Sequence, residues 1–332
     1  MKVLIRPVRT DDEGVASTVG TIMALLVFLT FLSLIVNQYV PAWMKDSEAS
    51  HMNVAIGQFG GLKGNIDLQI LAAQAAQSVG QHYIPVTTST AVNLGVDGVP
   101  IFAGPTLGRL AAVPDSGRFT VTFDYLVRGV RQRVSTFSNG TIELDVANRY
   151  YLAQRVAYEN GAVIRYQTDG QVIRAMPTFA VANVNNSLDV SFGLLSLYGS
   201  GGTTGTSTEI VNSQVYSVER QDYEGFPADA RVWVNQTSRY GLAWFQFLNQ
   251  TLAGALGLGG TFTKTPLDVG FTAKIGATVV YDIRASFNPI TQQYSLRLEI
   301  RNNPGILALS AFRLQRSQVL VDVGETGQNP QL

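Results

Sequence analysis

The sequence contains no cysteine, only two histidines and few charges. Without cysteine there is no disulfide, no thiol nucleophile and no thiolate metal site. The histidines, His51 and His82, fall in one helical stretch, about 46 Å apart along such a helix. They cannot share a metal within one chain, and both are expected to be solvated. A Ser-His-Asp triad or a histidine zinc site inside a globular domain is close to excluded, and no enzyme activity is expected. Charged residues make up 14% of the chain, and 24 Lys plus Arg balance 24 Asp plus Glu. A charge excess for nucleic acid is therefore missing. Gly, Thr, Ser, Val and Asn are plentiful instead, the texture of a neutral, β-rich exported protein with no cofactor.

What the chain does have is one long uncharged run. Between Glu13 and Lys45 it reads GVASTVGTIMALLVFLTFLSLIVNQYVPAWM. As a helix this reaches about 45 Å, more than the roughly 30 Å of a bilayer core. Small and polar residues open it (Ser17, Thr18, Gly20, Thr21), the densest apolar block follows at Ile22 to Val36, and Tyr39 and Trp43 sit at its far end, where amphipathic rings favour the headgroup boundary. Lys2, Arg6 and Arg9 precede the run and Lys45 alone follows it, so the N-terminus is expected to stay cytoplasmic, with the bulk outside. The block is too long for an ordinary signal peptide and runs on into a helix, so it is retained as an anchor.

Past the membrane, Met52, Ile56, Phe59, Leu62, Ile66, Ile70 and Ala73 recur at steps of three or four, one face of a helix that ends near Pro85. Lys45, Glu48, Lys63 and Asp67 fall off that stripe. Gly57, Gly60, Gly61 and Gly64 would each cost an isolated helix about 1 kcal/mol. Support from a β-domain or from neighbouring subunits is required, and small residues let helices approach closely.

From Val86 onward the pattern is of strands. Val92 to Pro105 reads as short strands between glycine turns, and Arg118 to Val127 alternates with Phe119, Val121, Phe123 and Tyr125 on one face. Ser138 to Thr141 turns the chain into Ile142, Leu144 and Val146, and Asn160-Gly161 and Asp169-Gly170 mark two successive hairpins. Phe179 to Val184, Leu188 to Leu197, Ile210 to Val218 and Ala230 to Val234 are further strands, and Gly199 to Thr208 is a flexible loop with nothing apolar to bury. Ser238 caps a helix through Leu256, stopped by Gly257, Gly259 and Gly260. Strands follow at Phe271 to Ile275, Thr278 to Ser286 and Tyr294 to Arg301, with Val319 to Val323 a weak last strand and Glu325 to Leu332 frayed.

Acidic residues offer little chemistry. Asp222, Glu224 and Asp229 lack calcium-loop spacing and read as solvated loop charges, and Glu143 and Asp145 alternate toward solvent. Four sequons, at Asn139, Asn185, Asn235 and Asn249, all lie beyond the membrane helix; they suit an N-glycosylated surface protein or ordinary turn chemistry.

The N-terminal arrangement, a short basic leader, Gly14, and an uncharged helix that begins Val15-Ala16-Ser17-Thr18-Val19-Gly20, resembles archaeal type IV prepilins with a class III signal. The order stalk, Gly-Val-Pro-Ile-Phe, alternating strands and Asn-Gly-Thr is also similar to archaeal pilin-like proteins. The resemblance implies cleavage by a prepilin peptidase between Gly14 and Val15, with the membrane, other pilin-like subunits and an assembly machinery as partners. The alternative reading is an uncleaved signal-anchored extracellular binding or adhesion protein with no filament role. The expected fold is α+β: a leader (1–14), a transmembrane helix (15–44), a stalk helix (45–84) and a β-rich antiparallel extracellular head (85–236). Residues 237–332, with one embedded helix, form a second lobe or continue the head. A head of this size is large for a repeating shaft subunit and fits a minor or tip subunit, or a pseudopilin, better.

Overall fold

A computed structural model describes residues 12–324, with side chains from residue 16 onward. The leader as far as residue 11 and the expected fraying after Gly324 lie outside the described residues. The chain begins with helix α1 (Asp12–Leu34), passes through a π-helical turn (Ile35–Tyr39) and continues without a break into α2 (Val40–Ser78). Pro41 explains the wide turn. It has no N–H to offer the carbonyl four residues back, and its ring crowds that carbonyl. The Val40 N–H reaches Ile35 O instead, which widens the helix by one residue per turn rather than breaking it. The helix stops at Ser78 and Gly80 takes the left-handed conformation, so the end precedes Pro85 by two turns.

The head is three sheets. The first has the order β1 (Thr88–Asn93), β12 (Thr208–Glu224), β18 (Ala308–Val323), β10 (Ser187–Tyr198), β9 (Phe179–Val184). The second runs β11 (Gly202–Gly205), β2 (Gly108–Val113), β5 (Thr141–Val146), β6 (Gln154–Glu159), β7 (Ala162–Gln167), β8 (Gly170–Ala175). The third runs β14 (Gly260–Lys264), β15 (Asp268–Ile275), β16 (Thr278–Asn288), β17 (Gln293–Arg301), β13 (Arg231–Ser238), β3 (Arg118–Val127), β4 (Val130–Ser138). Antiparallel pairing prevails, with β10 and β18 parallel. Helix α3 (Gly241–Leu256) is the one embedded helix. The α+β architecture read from the sequence is the one observed, and β3 and the two hairpins β6–β7–β8 fall where alternation and Asn-Gly or Asp-Gly place them. The first and third sheets each combine strands from before and after residue 236, and β13 itself crosses that point.

Two apolar cores result. In one, the stalk face Met52, Phe59, Leu62 and Ile66 packs on Leu110, Ile142, Leu144, Tyr158 and Val215. In the other, Trp244 and Leu248 of α3 pack with Phe119, Phe123, Tyr281, Leu298 and Phe312. The second sheet lies between them: Val156 and Tyr158 point to the stalk, and Ala157 to α3. β10 and β18 pass from one core into the other, with Phe192 and Phe312 in the second and Leu197 and Val321 in the first.

Several sequence expectations change. Gly199 to Thr208 is not a free loop, because β11 pairs along β2 through backbone bonds that need no apolar side chain. Ser138 to Thr141 does turn the chain, but between sheets, since β4 belongs to the third and β5 to the second. Ser238 ends β13, and α3 starts at Gly241; the Ser238 Oγ instead accepts the Tyr240 N–H at 3.0 Å. The last strand is 16 residues long and central. Asp222 and Glu224 lie in β12 rather than a loop, Asp229 pairs with Arg131, and half-buried Glu143 accepts a bond from the Tyr240 hydroxyl at 2.8 Å.

Glu159, fully buried between the cores, is the carboxyl that sequence reading passes over. It accepts bonds from Ser238 Oγ (2.7 Å), Trp244 Nε1 (2.8 Å), Gln236 Nε2 (2.9 Å) and Thr141 Oγ1 (3.3 Å). Burial outweighs these donors and pushes its pKa up to about 7. Since the folded value exceeds the unfolded one, the unfolded state sheds its proton first, and stability falls as pH rises from about 4.5 to about 7. Glu159→Gln, which stays neutral, is expected to remove that slope and to raise stability above pH 7 by on the order of 3 kcal/mol, read from urea melts across pH. A second test concerns backbone fit. Gly199 has φ +120° and a Cβ there would lie 1.9 Å from the Val321 carbonyl oxygen. Gly199→Ala is expected to cost about 2 kcal/mol or more in the same melts.

Candidate assembly helix and its seat on the head

The helix presents three surfaces. From Ala16 to Tyr39 it is apolar and exposed nearly all round, with no part of its most apolar window covered by the head. Its polar side chains bond inward to the helix itself, as a low-dielectric surrounding demands. Thr21 donates to Thr18 O, Thr30 to Leu26 O, and Asn37 Nδ2 to Ser33 O, each at 2.8 Å. By length and composition this helix could cross a membrane.

Beyond Tyr39 one face is seated on the head. The apolar stripe supplies area, and a row of polar side chains supplies register. Glu48 is fully buried and its carboxylate accepts Thr106 Oγ1 (2.6 Å) and three consecutive backbone N–H groups, of Arg149 (3.0 Å), Tyr150 (2.9 Å) and Tyr151 (2.6 Å). Burial raises its pKa, but these four donors together outweigh it and hold the carboxyl below its ordinary value. Next, the His51 ring bonds Asn93 O at 3.0 Å, and Gln58 Oε1 accepts the Asn93 N–H at 3.0 Å. Farther along, Gln69 accepts the Val215 N–H at 2.8 Å and donates to Thr88 Oγ1 at 2.7 Å, beside the bulge in β12. Gln77 Nε2 reaches Val218 O at 2.7 Å.

This corrects two expectations. His51 is buried, and burial lowers its pKa; only His82 is exposed. Glu48 lies on the seated face, four residues before Met52, because its charge is matched by a loop that is distant in sequence. The signal was present in that spacing, though a lone carboxylate on an apolar stripe reads as an interruption.

The third surface is the outward face. Trp43, Ser47, Ser50, Val54, Gly57, Gly61, Gly64, Leu68, Leu71 and Ala75 alternate at steps of four and three, and all are exposed. None is charged, and with an average period of 3.5 the row winds slowly around the helix. Gly57, Gly61 and Gly64 have helical backbone, and a Cβ on any of them would meet nothing within 4 Å. The fold itself therefore does not need glycine there.

Gly14 and Val15 fall within α1, with side chains outside the described residues. The sequons differ in access. Asn185 is exposed at the β9–β10 turn, and Asn235 is exposed with Thr237 on the outer face of β13. Thr141 of the Asn139 sequon is fully buried against Glu159, and Asn249 accepts a bond from the Tyr281 hydroxyl at 3.0 Å. Among the described residues, no group of three or more His, Asp or Glu is placed to hold a metal ion. A cavity of about 500 Å³ between the β7–β8 and β16–β17 hairpins holds Arg155, Tyr166, Arg239 and Tyr294, but Arg155 is already paired with Asp145.

Glu48→Ala would leave three part-buried N–H groups and the buried Thr106 hydroxyl without their acceptor and is expected to destabilise the head by about 2–4 kcal/mol. Because the folded carboxyl titrates low, that stabilisation is present above the unfolded value and is lost as pH falls through the folded one. The stability gap between wild type and variant should therefore close at acid pH in urea melts. Comparison of the chain with protein-family models, with curated proteins and with solved structures returns no match.

Proposed function

We propose that this chain is an archaeal type IV pilin-like surface protein, a minor or tip subunit or a pseudopilin, cut between Gly14 and Val15 and assembled through its helix. The N-terminus faces the cytoplasm and the head lies outside. The observation that carries this reading is the outward glycine row. Three exposed helical glycines cost the free subunit about 3 kcal/mol in all, and among the described residues no atom lies within 4 Å of where their Cβ would stand to explain it. A second helix laid along the row would gain close backbone approach, and an uncharged stripe continuous with the apolar segment suits transfer from lipid into a bundle of like helices. The large head crowds a repeating shaft, which favours a minor or tip position. Exposed Asn185 and Asn235 are the sequons open to glycosylation.

Intact-mass analysis of the membrane-extracted protein tests processing: a mature chain beginning at Val15 supports the proposal, and one beginning at Met1 turns it into a permanently anchored ectodomain. Assembly is tested on the row itself. Gly57→Leu with Gly61→Leu is expected to leave the head folded and the helix up to about 1 kcal/mol more stable per site, while abolishing crosslinking or co-purification with partner subunits. Unchanged association would remove the row from the mechanism.

A further inference from the structure

The head does not hang clear of the apolar segment. From the helix outward, β1 runs back toward the membrane: Thr90 meets Asn65, and Asn93 meets Gln58 and then His51. Val96 and Asp97 line a groove with Asp46 and Ser47. Val96 pairs with Thr106 in both directions (2.9 and 2.8 Å), and Thr106 is held by Glu48, so residues 97–105 form a hairpin pointing beyond Glu48. Four more extended residues carry its tip about 13 Å farther, level with roughly nine residues of helix. Continued along that line, the tip at Pro100 to Phe102 reaches toward the level of Tyr39 and Trp43. Val40 and Met44, on the helix face that carries Glu48, are 2% and 1% exposed, so the head already overlaps the uncharged run.

The tip is unusual in two respects. Ile101 is fully exposed and Phe102 is partly so, although no packing in the fold calls for an apolar side chain there. Ile101 also has φ +73°, and Phe102 N–H bonds Val99 O at 3.0 Å. This is the third position of a tight turn after proline, where glycine fits and a β-branched residue costs about 1–3 kcal/mol. A strained, solvent-facing isoleucine gains nothing in water. Beside the tip stands exposed Arg149, whose Nη1 would lie 3.7 Å from a Cβ at Gly104, and exposed Leu152 follows in the same loop.

We propose that the hairpin tip is a second membrane contact, seating Ile101 and Phe102 in the headgroup boundary next to the helix, with Arg149 at phosphate level. The occupant is lipid because the tip reaches toward the level of the aromatic end of the apolar helix and is continuous with the surface that helix offers to the bilayer. The head is then held at two points and cannot swing freely about the π turn. This requires only a helix that crosses a bilayer, not filament assembly.

The chain has no cysteine, so a single introduced one labels uniquely. Full-length Ile101→Cys carrying an environment-sensitive dye, in phosphatidylcholine vesicles at low protein density, is compared with the dye at exposed Ile290 in the β16–β17 turn. Blue-shifted emission at residue 101, losing at least half its intensity with brominated lipid while the Ile290 label is unaffected, is the expected result. Water-like emission overturns the proposal. So does a blue shift that rises with protein density and ignores brominated lipid, which would make a neighbouring copy the occupant. Ile101→Gly is expected to hold or raise the melting temperature and to abolish lipid quenching of a dye at Phe102→Cys. A fall in melting temperature would assign the isoleucine to the fold instead.

Discussion

A helix long and apolar enough to cross a bilayer must keep its backbone bonds closed along the whole way, and the architecture answers that requirement. In the apolar half, which the head does not cover, Thr21, Thr30 and Asn37 bond to their own helix and Pro41 is absorbed by a π turn. In the water-facing half the same rod would be weakened by glycine, and it persists because the head buries one side of it. The head, in turn, closes its first core only with the helix in place. Neither half is a finished structure without the other.

Buried polar groups define where the two meet. Apolar contact along a stripe tolerates sliding by a turn, whereas a carboxylate that collects three successive N–H groups does not. Glu48 fixes one end of the seat, and Gln69 and Gln77 fix the other, against irregular backbone that a ladder leaves unpaired. Glu159 does similar work between the two cores but sits deeper, so that its charged form is the costly one. The two carboxyls therefore respond to pH in opposite senses, one favouring neutral conditions and the other mildly acid ones.

Much of this was legible in the residues. The membrane-length helix, the seated stripe, β3 and the hairpins β6–β8 each show a clean period or a turn dipeptide, because each is decided by local chemistry. What was hidden depends on distant partners. β18 looks weak because Arg313, Gln315 and Arg316 interrupt it, yet the strand changes cores partway and shows a polar side to each. β11 has no apolar residue because its neighbour β2 provides only backbone. Glu48, His51 and Glu159 look like surface charges because their hydrogen-bond partners lie far along the chain. On the long helix the outward glycines were visible as a cost, and only the packed head shows that no contact among the described residues explains them.

The placement of β18 has a consequence for the order of events during synthesis. It lies between β10 and β12 and follows both in the chain, so the first sheet has a gap until β18 has been made. Until then β10 and β12 expose long unpaired edges, the kind that seed aggregation. The apolar helix precedes all of these strands in the chain, and inserted in a bilayer it would tether each nascent chain separately to a surface. Tethering keeps those open edges dilute with respect to one another, and so gives the slow, late-closing head time to find its own last strand.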